Sequence, residues 1–336
     1  MTYRVRETPP PYSSALVEWY DRGHRDLPWR ATSDPWSILI SEVMLQQTRV
    51  EVVIPYYLRF LERFPDYATM AQAPLDDVVA LWSGLGYYRR ARSLHACAVE
   101  LQRRGGFPES LTDLPGIGNY TAAALASIAW GRPAVALDGN ALRVYSRLFA
   151  IEEDIQSTAT ARYLTRRLLP AVPPGRAGDY TQAIMELGAT VCLPRNPRCP
   201  LCPLAPGCQA RQLGRIQDFP VLRRSTRKEF LELEALVLVQ PGQVWLTRGH
   251  SLPFLKDTWL PWIGQAQGQM MGFIKHGVTF RDIVVQVYRL ESSEAPPHGR
   301  WIAWGDLLHF AIPSLTRKIL KMASPGELPP VPKSRA

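Results

Sequence analysis

The chain has 336 residues, of which 46% are hydrophobic and 21% charged, with a formal net charge of +9. That length accommodates two domains of ordinary size, and the balance is that of a soluble globular protein. The longest uncharged run, Leu114 to Gly131, approaches membrane-spanning length, but Pro115, Gly116, Gly118 and Asn119 in its first turns exclude a span.

Met1 to Ser14 is polar and carries three prolines, so no secretory signal is expected and an intracellular location is the default. Ser33-Asp34-Pro35 supplies a cap and a first-turn proline for an apolar helix from Trp36 to Leu45. Helical patterns follow over Ala73–Ser83, Tyr88–Arg103, Thr121–Trp130, Ala141–Phe149 and Asp179–Ala189. Breaks fall at Pro65, Gly84, Gly105-Gly106 and Pro173-Pro174-Gly175. Gly214 to Glu229 is polar and basic, which suits either a linker lying along phosphates or a solvated connection. Strand signals then cover Phe230–Gln240, Val244–Thr247 after a Pro241-Gly242 turn, Val284–Leu290 and Trp301–Trp304. A last helix is predicted over Pro313–Met322, and the Pro-rich tail from Ser324 is expected to be disordered. The predicted domains are thus 1–211, mainly α; a basic linker, 212–229; an α+β domain, 230–323; and the tail, 324–336.

Three clusters carry chemistry. In Leu114-Pro-Gly-Ile-Gly-Asn-Tyr120, two glycines flank one apolar residue and open a helix. Glycine permits close backbone approach to a partner, and amides at a helix start attract phosphate. The basic net charge suits the same partner, because neutralising phosphates releases counterions without reading sequence. Second, four of the five cysteines, Cys192, Cys199, Cys202 and Cys208, fall in a C-x6-C-x2-C-x5-C pattern. Such a packed intracellular cluster points to metal rather than disulfides, and four thiolates hold either zinc or an iron–sulfur cluster. The spacing weighs against zinc, whose knuckles usually stand a dozen or more residues apart. Cys97 stands alone in a helical pattern and reads as a buried apolar thiol. Third, Glu42 shares a helix face with Ile38, Leu39 and Leu45, so apolar neighbours would raise its pKa and keep it protonated.

The hairpin with Asp138 downstream resembles the helix-hairpin-helix DNA repair glycosylases. The cysteine spacing matches the 4Fe–4S loop of the endonuclease III and MutY glycosylases within them. Ser41-Glu-Val-Met-Leu-Gln-Gln-Thr48 looks like the adenine-glycosylase signature of MutY, and with the other matching positions named below the likeness spans nearly all of residues 15 to 210. The resemblance implies a helix-hairpin-helix glycosylase domain, with Gly116 and Gly118 on the DNA backbone. The four cysteines would hold a 4Fe–4S cluster that orders a loop, with Arg195 and Arg198, against DNA. N-glycosidic cleavage passes through an oxocarbenium-like sugar and needs a proton for the base and a negative charge near C1′. By resemblance, Glu42 supplies the first and Asp138 the second, Asn140 orients Asp138, and Tyr120 hydrogen-bonds near both carboxylates. Tyr120 stands where bifunctional relatives carry a lysine, and a phenol forms no Schiff base, so no strong lyase activity is expected. Trp29 and Arg30 resemble the adenine pocket and Gln182 a reader of the flipped base. Leu45, Gln47 and Thr48 look like probes of the opposite base, and Tyr87 like a stacking wedge.

Trp259-Leu-Pro261 and Ile312–Ile319 resemble the Nudix-like domain that lets this family recognise 8-oxoguanine, although no Glu-rich Nudix box follows Pro261. The family's His-x-Phe-Ser-His loop is His276-Gly-Val-Thr279-Phe280 here. Thr279 keeps a hydroxyl, but the second His is Phe280. Leu255-Lys-Asp-Thr-Trp259 also departs from the family's entry to that strand. The resemblance therefore implies a monofunctional adenine glycosylase acting on duplex DNA with A opposite 8-oxoguanine or G. The protein is expected to be monomeric, free of membrane, and located at a prokaryotic nucleoid. A pyrimidine-mismatch glycosylase and a silent lesion binder are the competing readings.

Overall fold

The computed structural model describes residues 10–223, 229–248, 250, 252, 254–256, 258–278 and 280–329. In chain order the helices are α1 (Pro11–Arg22), α2 (Pro35–Leu45), α3 (Val50–Arg63), α4 (Tyr67–Gln72), α5 (Leu75–Leu81), α6 (Arg89–Arg104), α7 (Asn119–Ile128), α8 (Gly139–Leu148), α9 (Thr158–Leu168), α10 (Ala177–Thr190) and α11 (Gln209–Gln212). Strands β1 (Glu229–Gln240), β2 (Gln243–Thr247), β3 (Trp262–Ile263), β4 (Gln269–Val278), β5 (Arg281–Glu291) and β6 (Gly299–Ala303) precede α12 (Ser314–Ala323). The fold is a helical domain followed by an α+β domain, as the sequence predicts. Contacts divide it into Met1–Gln46 with Phe107–Ser225, and Gln47–Gly106 with Thr226–Ala336. The grouping of 47–106 with the C-terminal segment is an interleaving that a linear reading does not anticipate.

In the first unit, Asp34 caps α2 by accepting the Ser37 N–H at 2.8 Å, with Pro35 in the first turn. Every residue from Trp36 to Met44 is buried, so α2 is a core helix rather than an amphipathic one. Helix α10 packs against α1, α7 and α8, and Tyr145, Tyr180, Ile184 and Leu187 close the core among them. Each fully buried aliphatic side chain there contributes roughly 1.5–3 kcal/mol. Close crossing depends on Gly188, where an added Cβ would stand 2.5 Å from the Asn140 Cβ and 3.0 Å from its Cα. The hairpin before α7 is pinned by buried Leu114 and Ile117, with the Ile117 N–H donating to the Leu114 carbonyl at 3.2 Å. Gly116 takes φ +77°, a left-handed conformation open to glycine at no steric cost. Residues 212–223 run along this unit, where Phe219 is buried and Ile155 N–H donates to the Val221 carbonyl.

In the second unit the sheet order is β4-β5-β1-β2-β6, with β3 on β1. The β1–β5 pair is parallel and the other pairs antiparallel. The two C-terminal motifs meet: Thr316 donates to the Trp259 carbonyl at 2.9 Å, and Trp259 N–H to the Ala311 carbonyl at 3.0 Å. His276 and Val278 belong to β4, not to a loop, and Val278 pairs with Arg281 across the hairpin. Thr279 lies outside the described residues, as do 224–228 and 330–336. Residues 324–329 form a turn after α12, with Ser324 buried.

The six helices predicted between residues 36 and 189 all form, with ends shifted by one or two residues. Several elements escaped the pattern. Pro55 lies inside α3, whose N-cap residue Arg49 makes no side-chain cap bond. Prolines at 10 and 11 open α1. Gly272 and Gly277, with a bulge between Met270 and Gly272, interrupt the alternation of β4.

Candidate active site

Four predicted catalytic residues converge in the first unit. Glu42 sits in the last turns of α2, 5% exposed, and Tyr120 in the first turn of α7 donates to its Oε2 at 2.5 Å. Asp138 is the N-cap of α8: Oδ1 accepts the Ala141 N–H at 2.6 Å and Oδ2 accepts from Asn140 Nδ2 at 3.0 Å. The acid arises because a carboxylate is buried in a helix whose neighbours are largely apolar, and the second carboxylate is an acceptor because it caps α8.

Electrostatics separates the two carboxylates. Burial raises Glu42 from 4.5 to about 7, opposed by the Tyr120 hydrogen bond and reinforced by the Asp138 charge. Burial also raises Asp138, but donors at Ala141 and Asn140 and the Arg143 charge work against it. Tyr120 is driven well above its ordinary pKa by burial and by the Glu42 charge, so it stays a neutral donor. With Oε2 occupied by that donor, the carboxyl proton of Glu42 belongs on Oε1. The site therefore sets a buried acid raised to about 7 beside a carboxyl that accepts two hydrogen bonds, the pair of roles that glycosidic cleavage needs.

Asn140 is held in turn. Its Oδ1 accepts from Arg143 Nη2 at 2.8 Å, and Arg143 also donates to the carbonyls of Gly188 at 2.7 Å and Cys192 at 2.8 Å. Neither Arg143 nor Gly188 was singled out from sequence. Their signal is weak, because an Arg on an amphipathic helix and a Gly in an apolar run have ordinary structural readings.

The predicted adenine-pocket residues form a second group. Trp29 is buried, and Arg30 donates to Glu186 Oε2 at 2.7 Å and to the Arg25 carbonyl at 2.9 Å. Arg25 forks onto the same carboxylate, through Nε to Oε1 at 2.9 Å and Nη2 to Oε2 at 2.8 Å. Burial would raise Glu186, but the two arginines outweigh it and hold the carboxyl at about 2. Glu186 lies one turn after Gln182 on α10, so the two share a face. Sequence reasoning missed Glu186; the available signal was a carboxylate inside the apolar run Ala183-Ile-Met-Glu-Leu187.

The four clustered cysteines line one cavity of about 30 Å³ with Val144, Arg147 and Leu204. All four are free thiols. No set of three or more His, Cys, Asp or Glu among the described residues is disposed to hold a metal ion. Arg147, 2% exposed, stands 3.4 Å from Cys192 Sγ and donates to the Leu193, Pro194, Ile216 and Phe219 carbonyls. Burial pushes the Cys202 thiol up to about 11, with neighbouring thiolate charges adding to it, so thiolates here need a cationic centre to hold them. The donor set fits a four-thiolate cluster.

Gln47, Thr48 and Tyr87 belong to the second unit, whereas Leu45 ends α2 in the first. Gln47 (φ +58°) and Tyr87 (φ +50°) are exposed non-glycine residues in the left-handed region, a strain that clusters at functional positions. Arg90 joins Thr48 to Tyr87: Nη2 donates to Thr48 Oγ1 at 3.0 Å and the guanidinium lies 5.4 Å from the Tyr87 ring centroid.

Residues 40–170 match the profile of the HhH-GPD superfamily of base excision DNA repair proteins. The chain is 33% identical to a mouse adenine DNA glycosylase over 400 aligned residues, covering 93% of this chain and 77% of that protein. It is 43% identical to a human adenine DNA glycosylase over 215 residues, 60% of this chain but 39% of the relative's length. A relative from the bacterium Buchnera aphidicola (subsp. Schizaphis graminum), also described as an adenine DNA glycosylase, is 33% identical and covered over 73% of its length. Among solved structures, a thermostable thymine-DNA glycosylase superposes at TM-score 0.56 with 28% identity, covering 60% of this chain and 95% of the other. Endonuclease III in a non-covalent DNA complex superposes at 0.51 with 23% identity, covering 60% of this chain and 94% of the other, which shows a shared fold. Relatives occur in both bacteria and eukaryotes, and no helix among the described residues is long and apolar enough to cross a membrane.

Proposed function

The chain belongs to the adenine DNA glycosylases of the HhH-GPD superfamily, and from that premise we propose that it hydrolyses the N-glycosidic bond of adenine mispaired with 8-oxoguanine or G in duplex DNA. The observation that carries the chemistry is the buried Glu42, raised to about 7 and hydrogen-bonded by Tyr120, beside the capped Asp138. After extrusion of the nucleotide, Glu42 protonates adenine N7 from Oε1. The Asp138 carboxylate, which accepts from the Ala141 N–H and Asn140 Nδ2, stabilises the cation that develops at C1′. The deprotonated Glu42 then takes a proton from water as it adds to the sugar, leaving an abasic site. Tyr120 has no amine to trap the sugar, so the reaction stops there.

Trp29, Arg30 and Gln182 are assigned to the adenine pocket. Leu45, Gln47, Thr48 and Tyr87 are assigned to the opposing strand and stack. Gly116 and Gly118, exposed at the start of α7, are assigned to a backbone phosphate. Cys192, Cys199, Cys202 and Cys208 would hold a 4Fe–4S cluster, which when bound supplies a covalent staple for the 192–208 loop. The C-terminal domain, Nudix-like by its Trp259–Pro261 and Ile312–Ile319 segments, is assigned to recognition of 8-oxoguanine, with Thr279 as its hydroxyl donor.

The test is base release from duplexes carrying A or T opposite 8-oxoguanine or G. Release of adenine alone is expected, and Glu42→Gln and Asp138→Asn should abolish it with DNA binding retained. Release of thymine would establish the pyrimidine-mismatch alternative instead. Full activity in either variant would remove that residue from the mechanism.

A further inference from the structure

The second unit holds a cavity of about 440 Å³ between α3, α5, the 304–309 turn and α12, outside every residue assigned above. Its polar lining is Tyr56, Arg59, Arg63, Ser83, His309 and Arg317. Among the described residues that line it the one acidic group is Asp77, so three guanidinium groups oppose one carboxylate.

Those arginines are not consumed by the fold. Among the described residues none of Arg59, Arg63 and Arg317 is in an ion pair. Two are held in place by aromatic faces instead: Arg59 lies 4.5 Å from the Tyr56 ring centroid and Arg63 lies 5.0 Å from that of Phe64. Arg59 also gives a side-chain hydrogen bond to Tyr56, and a guanidinium has five N–H donors, so those left over can still fork onto an oxyanion. Arg317 has Nε and Nη1 buried with no acceptor. A buried charged donor without a partner is costly, and its presence calls for a missing counter-charge. Burial also lowers the Arg317 pKa, while Tyr56 and Tyr88 beside it pull the other way. Tyr56 is itself fixed, donating to the Ser83 carbonyl at 2.7 Å, so the wall is rigid.

We propose that this cavity is a phosphate-binding site, formed by Arg59, Arg63 and Arg317 with the Tyr56 and Phe64 rings as walls. The volume lies within the roughly 300–1,000 Å³ range of small-molecule sites. It has room for a phosphate together with the sugar or base attached to it. The phosphate belongs either to a free nucleotide or to the backbone of bound DNA, and the two sources separate experimentally.

Calorimetric titration of the intact protein with inorganic phosphate and with deoxyadenosine monophosphate tests the first source. Binding of an undamaged duplex between 50 and 200 mM salt, by fluorescence anisotropy, tests the second. The double variant Arg59→Gln/Arg317→Gln is compared in both. Saturable monophosphate binding that weakens at least tenfold in the variant, with duplex binding unchanged, identifies a free nucleotide. A slope of log affinity against log salt that is shallower by about one in the variant identifies a backbone phosphate. Where the double variant does not fold, Arg317→Lys keeps charge and stem but removes the fork, and a severalfold loss in either assay is expected. Wild-type protein that binds neither monophosphate, with a salt slope unaltered in the variants, overturns the proposal. Base release is not read in these assays, so their outcome stands apart from the catalytic assignment.

Discussion

Glu42→Gln should make the protein more stable, by an amount that depends on pH. Glu42 carries a pKa of about 7 in the folded protein against 4.5 in the unfolded chain, with burial as the main cause. The folded state therefore binds the proton more tightly, and its stability is fully present below pH 4.5 and lost as pH rises through 7. A difference of about 2.5 units at 1.36 kcal/mol each is about 3 kcal/mol. Glutamine mimics the neutral carboxyl and still accepts from Tyr120, so the variant should lack this loss. Asp138 keeps its burial-raised pKa in both proteins, while its charge acts on a titrating Glu42 in the wild type alone and is part of the difference measured. The assay is thermal unfolding of the two proteins side by side from pH 4.5 to 8. The variant should match wild type at the acid end and exceed it by about 3 kcal/mol, roughly 4 °C for a chain of 336 residues, at the alkaline end. A gap that stays flat across the range would show that Glu42 titrates normally and would refute the burial argument.

Single-turnover base release should fall about tenfold per pH unit above the Glu42 pKa of about 7. Because the Tyr120 hydrogen bond lowers that pKa, Tyr120→Phe should move the alkaline limb upward by about 1–2 units, given roughly 1.5–3 kcal/mol for a charge-assisted bond. A downward move contradicts the assignment. Gly188→Ala should cost ~1–3 kcal/mol through overpacking and slow base release by displacing Asn140, whose Cβ would be 2.5 Å from the new methyl. Wild-type melting and rate together would show that the crossing has slack. Arg147→Met should strip donors from four carbonyls around the cysteine cluster and lower bound iron per chain, read by visible absorbance and iron assay. Iron retained at the wild-type level after purification would show that the loop closes without Arg147.

Local signals were sufficient wherever one residue type has a backbone consequence. Asp34-Pro35 marked the start of α2, and Leu114–Tyr120 marked the hairpin, because caps, prolines and left-handed glycines act within a few residues. The strands at Phe230–Gln240 and Val284–Leu290 were legible from apolar β-branched runs. Their parallel pairing was not, since register is set by packing against the rest of the sheet. Helix α3 was hidden by Pro55, and β4 by its glycines and bulge, so His276 and Val278 read as loop when they pair along a strand.

The residue types for catalysis were likewise present in the chain: Glu42, Tyr120, Asp138 and Asn140 could each be named with a role by resemblance. Composition and spacing constrain which groups exist and which backbone each prefers, because those effects are local. What tertiary structure alone decided was the state in which they act. Burial beside α7 makes Glu42 an acid near neutrality, and two arginines some 160 positions from Glu186 in the chain hold that buried carboxyl ionised. Such outcomes depend on desolvation and on charges distant in the chain, quantities that no local pattern encodes.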